Sequence, residues 1–144
     1  MEINVKIIKE RPDFRVFATY FFGNDFHNYD SDGNSFPVTS RNWTQLYMSS
    51  RQESNLSFEI WPLNESPLIL SVFSENSENA YRIAYFLARE TNGAILNENN
   101  ESIQLDSLLD KLGDFDLEER LFLADKSIWR QATDENPYPN LVGE

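Results

Sequence analysis

The chain carries one histidine, His27, no cysteine, and 24 carboxylate side chains against 12 basic ones. That inventory limits the chemistry within reach. Without cysteine there is no thiolate nucleophile, no disulfide and no zinc–thiolate centre. A serine–histidine–carboxylate triad would have to use His27, which stands between Phe26 and Asn28 in a polar stretch, and no G-x-S-x-G turn accompanies it. We read His27 as a loop or surface histidine. Five glycines, with no G-x-x-x-x-G-K-[ST] and no G-x-G-x-x-G, leave little material for a phosphate cradle. Paired carboxylates can drive acid–base hydrolysis, but the separation that makes a pair productive exists only in three dimensions. The sequence therefore designates no catalytic residue and calls for no cofactor.

One segment has ligand-like spacing. Asn28, Asp30, Asp32 and Asn34 place oxygen-bearing side chains at alternate positions, with Gly33 sixth, as in the first half of an EF-hand loop. The second half departs from that pattern. Thr39 stands where a bidentate glutamate belongs, and Pro37 interrupts the run. The segment is expected to be a structural turn with no metal, and Asp30 and Asp32 are expected to be exposed acids.

The charge is a better guide. Of the net −12, residues 97–144 supply −8, from twelve acids and four bases. Direct binding to nucleic acid or to an anionic membrane needs clustered Lys and Arg and is disfavoured. Attraction to a cationic protein is favoured. A merely solvated helical face is the plainer account of such a run. For a partner surface the sequence offers Asp114, Asp116, Glu118, Glu119 and Trp129, with Asp30 and Asp32 as a second patch. Among the aromatic residues Trp43, Tyr47, Trp61 and Trp129, core packing is the commoner role. Trp61, which alternates with the apolar face of its strand, and Trp129, set in the acidic third, are the candidates for exposure.

These residues need elements to hold them. Residues 3–8 and 14–22 read as strands joined by a turn at Arg11, Pro12 and Asp13. Residues 14–22 are apolar on both faces, which suits a central strand or a strand covered by a partner, and so allows a homodimer. Residues 23–40 read as a long loop, 43–49 as extended, and 56–61 with 67–73 as a strand pair. Ser74 or Ser77 can then cap a helix in which Ala80, Ile83, Ala84, Leu87, Ala88 and Thr91 form one stripe, with Gly93 as its left-handed stop. A short strand follows at 94–96 and a turn at 97–101. Helices are expected from Asp106 to Gly113 and from Asp116, with Leu117, Leu121, Ala124 and Ile128 on one face. Residues 134–144 read as an extended tail. The expected fold is a single α+β domain over 1–144. It has an antiparallel or mixed sheet of five to six strands, one main helix packed on it, and C-terminal helices.

The helix of residues 74–93, following the strands of 43–74, resembles that of small acidic bacterial immunity proteins encoded beside polymorphic and contact-dependent inhibition toxins. The resemblance spans about residues 40–130. It implies a cytoplasmic, stoichiometric inhibitor that binds a cognate protein toxin, a basic nuclease being one case. The start of the chain has no basic-then-apolar leader, and no apolar run is long enough to span a bilayer, which agrees with that compartment. Two other readings stay open. One is a non-catalytic subunit or regulatory adaptor. The other is an enzyme built on scattered carboxylates or on the 23–40 loop.

Overall fold

The computed structural model describes residues 1–23, 28–53 and 55–139. His27 lies outside the described residues, as do the tail residues 140–144. The fold is α+β. Seven strands form one antiparallel sheet: β1 (Glu2–Lys6), β2 (Tyr29–Gly33), β3 (Leu46–Ser50), β4 (Ser57–Glu65), β5 (Leu68–Phe73), β6 (Ala94–Leu96) and β7 (Ser102–Ile103). Their order across the sheet is β2-β3-β4-β5-β1-β6-β7.

Alternation along each strand decides which face is covered. Ile3 and Val5, Leu46 and Met48, Phe58 and Ile60, Leu70 and Val72, and Ile95 are buried. Their neighbours in sequence, among them Glu2, Tyr47 and Trp61, point to the other face and are exposed. Helix α2 (Ser77–Thr91) lies on the buried face, touching β1, β4, β5 and β6. Its start is capped by Asn76, whose side chain accepts the Asn79 N–H at 3.2 Å, rather than by Ser74 or Ser77. Its end is Asn92, in the left-handed region at φ 53°. The adjoining Gly93 is required for another reason: a Cβ there would collide with the Lys6 carbonyl oxygen. The small residues Ala80, Ala84 and Ala88 let the helix lie close to the strands.

The main departure from expectation is α1 (Arg15–Phe22), a helix where alternation had pointed to a strand. All eight of its residues are buried. An element that is apolar all round is ambiguous by period, and here it is a helix enclosed on every side. The two-faced strand that had allowed a homodimer is therefore internal to the protein. Phe17 packs edge-on to Trp43 at 5.5 Å and to Phe86 at 4.9 Å, and Tyr20 stacks on Phe86 at 4.1 Å. Phe21 meets Phe58 edge-on at 5.1 Å, joining the helix to the sheet.

The outer side of α1 is closed by the C-terminal third. A 3-10 helix spans Leu105–Lys111, α3 spans Leu117–Asp125, and a second 3-10 turn spans Ile128–Gln131. Helix α3 is capped by Asp116, as expected, while the first 3-10 helix follows Gln104 and has no side-chain cap from Asp106. Residues 28–34, expected to form a turn, instead supply the edge strand β2.

Truncating Phe17 to Ala should cost about 3–5 kcal/mol, the usual range for a fully buried phenylalanine. A urea unfolding midpoint that fell by less than the equivalent of about 1 kcal/mol would contradict this packing.

Candidate functional site

The sequence-derived residues divide between two surfaces on opposite sides of the sheet. The first is the corner leading into α3. Asp114, Asp116, Glu118 and Glu119 are all exposed there. Asp116 spends one carboxylate oxygen on the Glu119 N–H at 3.2 Å. Acids in this first turn also suit the positive end of the helix. Among the described residues no ion pair engages any of the four.

Two cations close by donate to backbone carbonyls and form no ion pair with these four acids, although Arg120 feels the charges of Glu119 and Asp116, and Arg82 that of Asp114. Arg120 donates from Nη1 to the oxygens of Tyr20 (3.1 Å) and Phe21 (2.6 Å), the last carbonyls of α1. Arg82 donates from Nε to the Leu112 oxygen at 2.7 Å. Burial lowers the pKa of both guanidiniums, with Glu119 opposing the shift at Arg120 and Glu78 at Arg82. By contrast, Asp125 is bound by Arg89 at 3.0 Å and lies within 3.8 Å of Arg130. The outward charge of the C-terminal third is thus concentrated before Arg120.

Trp129 does not belong to this surface. It is 6% exposed. The Arg15 guanidinium lies 4.1 Å from its ring centre and is held in turn by Asp13 at 2.7 Å. The expectation that Trp129 is exposed is corrected: it stands in the acidic third of the sequence, but it closes the core over α1. Tyr20 is another buried polar side chain in the helical layer. Its hydroxyl donates to the Arg82 carbonyl at 2.8 Å, and burial pushes the phenol well above its ordinary range. That makes it a hydrogen-bonding strut rather than a proton donor at neutral pH.

The second surface is the face of the sheet that the helices leave open. Asp30 and Asp32 are exposed on it, in strand β2. Asp30 is paired with Arg51 at 2.9 Å. Among the described residues Asp32 accepts only the N–H of Gly33, at 2.8 Å. The register brings together residues that sequence reasoning missed. Asp32 faces Tyr47, Tyr47 faces Glu59, Glu59 faces Phe73, and Phe73 faces Glu2. Across five strands, carboxylates and aromatic rings alternate in one row. Trp61 lies beside that row, 40% exposed as expected, and parallel to Phe73 with ring centres 6.4 Å apart. A groove of about 360 Å³ runs here between Asp32, Gln45, Tyr47, Glu59 and Trp61. A smaller one of about 200 Å³ lies beyond Glu59, bounded by Ser57, Phe73 and Glu75. The alternation of Glu59 and Trp61 with Phe58 and Ile60 marked this face in the sequence, but strand register did not follow from it.

A wider groove of about 510 Å³ opens at the far edge, between β1, β6 and the first 3-10 helix. It is lined largely by aliphatic and asparagine side chains, with Glu2, Glu98 and Lys111 as its charged residues. No group of three or more His, Cys, Asp or Glu among the described residues is placed to hold a metal ion. No described helix is long and apolar enough to cross a membrane.

Compared with protein families, curated proteins and solved structures, the chain matches none.

The two tryptophans give a direct check on these assignments. Trp129→Ala should cost about 3–5 kcal/mol, and Trp61→Ala about 1 kcal/mol, the value of one exposed ring stack. Equal losses in guanidinium unfolding curves would contradict the division into core and surface.

Proposed function

We propose that this protein acts by binding a cationic protein partner, as the immunity proteins of toxin systems do, and that it neutralises that partner by occupying it stoichiometrically. The observation that carries this reading is the cluster of exposed carboxylates at Asp114, Asp116, Glu118 and Glu119, whose neighbouring arginines are committed to backbone oxygens. Like charges held together on a surface repel one another and project a field that a basic partner relieves. A nuclease must display Lys and Arg to grip phosphates, so an acidic protein can compete for that surface and associate fast. The acidic-aromatic row on the opposite face supports the same reading, since exposed Tyr and Trp anchor many protein interfaces and its carboxylates match a basic partner.

The test is copurification with the product of the adjacent gene, followed by association kinetics. The complex should form one to one. Reversing Asp114, Asp116, Glu118 and Glu119 to Lys should slow association roughly tenfold at low salt, with the difference shrinking as salt screens the field. An adjacent product that shows no interaction counts against the proposal. An association rate insensitive to both salt and charge reversal removes the helical corner from it.

A further inference from the structure

We propose that the open face of the sheet is where the partner seats, and that the groove between Tyr47 and Trp61 receives an arginine side chain from it. This rests on the reading of the chain as a binder of a cationic protein, and it assigns the contact surface that the steering charges alone do not.

Glu59 is the centre of the argument. It is half-buried, flanked across the strands by Tyr47 on β3 and Phe73 on β5. Among the described residues it has no hydrogen-bond donor and no ion-pair partner. A carboxylate placed between two rings loses part of its hydration and gains nothing in return. A guanidinium entering the groove supplies the missing donors. Its flat face can also lie on an aromatic ring while its edge bonds a carboxylate, a combination that an ammonium does not offer.

The surroundings fit that guest. Asp32 stands on the far side of Tyr47 and Glu2 on the far side of Phe73. Acids therefore recur every second strand, about 10 Å apart at the usual strand spacing. Trp61 lies parallel to Phe73 with ring centres 6.4 Å apart, so an exposed indole is already oriented and loses little freedom on contact. The nearest bases do not fill the groove. Arg51 is held by Asp30, and Lys6 lies at the opposite end of β1 from Glu2. The face thus combines apolar area, oriented rings and uncompensated negative charge, and its complement is a cationic, arginine-bearing protein surface.

Argininamide is the probe. Titrated into the ¹⁵N-labelled protein, it should move the indole N–H resonance of Trp61 saturably. The indole of Trp43, bonded to the Pro12 oxygen, and that of buried Trp129 should stay in place. Glu59→Gln keeps the side-chain shape and removes the charge, and should weaken the binding about tenfold. A Trp61 resonance that does not move, or that titrates identically in Glu59→Gln, overturns the site.

With the adjacent-gene product as partner, Glu59→Gln and Trp61→Ala should each raise the dissociation rate. If both leave the complex intact while charge reversal before α3 weakens it, seating on the sheet is overturned and the binding function stands. If the unaltered protein captures no adjacent product, the functional reading fails, and the argininamide titration still decides the groove.

Discussion

A helix with no solvent face constrains everything around it. Helix α1 buries all eight of its residues, so each of its polar ends has to be satisfied from inside the protein. At its start, Asp13 accepts the Arg15 N–H and pairs with the Arg15 side chain, which lies against Trp129. At its end, Gly23 turns left-handed at φ 88°, and Arg120 reaches back from α3 to the carbonyls of Tyr20 and Phe21. Buried backbone groups left without partners cost as much as lost hydrogen bonds. These contacts therefore decide where the C-terminal third can lie. It is pinned over α1 by Arg120 and by the packing of Trp129 on Arg15.

That arrangement accounts for the charge distribution. Arg15, Arg82 and Arg120 reach rings or backbone carbonyls, Arg89 and Arg130 hold Glu90 and Asp125, and the carboxylates before α3 are left on the outside. It also accounts for the bare side of the sheet. Helix α2 contacts the strands directly, α1 joins them through Phe21 and Phe58, and the C-terminal helices cover α1 in turn. All the helical mass is used on one face. The other face keeps the polar half of each strand's alternation, and the register turns a scattered set of residues into the row Asp32, Tyr47, Glu59, Phe73, Glu2.

Much of this was legible in the sequence where a pattern had only one physical interpretation. The stripe from Ala80 to Thr91 can only be an amphipathic helix, the paired alternations of 56–61 and 67–73 can only be half-buried strands, and Asp116 before Leu117 is a cap in sequence and in space. Residues 14–22 were misread because a run apolar on every side has no period, so strand and enclosed helix look alike. Asn28 to Asn34 were taken for a turn because Asp, Asn and Gly favour one locally. Pairing with β3 overrides that preference. The candidate acids at 114–119 were visible as charge. Glu59 was not, because nothing in its own segment tells which residues will stand beside it on the neighbouring strands. Trp129 reads as exposed for a related reason: it lies in the acidic third, and the ring that covers a buried arginine is identified only once Arg15 is near it.

The enclosure of α1 also has a consequence for synthesis of the chain on the ribosome. Residues 15–22 emerge early, but the groups that seal them, Arg120, Ala124 and Trp129, come about a hundred positions later. Until those are made, Phe17, Tyr20 and Phe21 have no complete shelter. Contacts of such long sequence separation form slowly, and apolar surface left waiting invites aggregation. Completion of the helical layer is therefore a late, all-or-none event, and a chain released before its last fifth is translated would leave an aromatic helix bare.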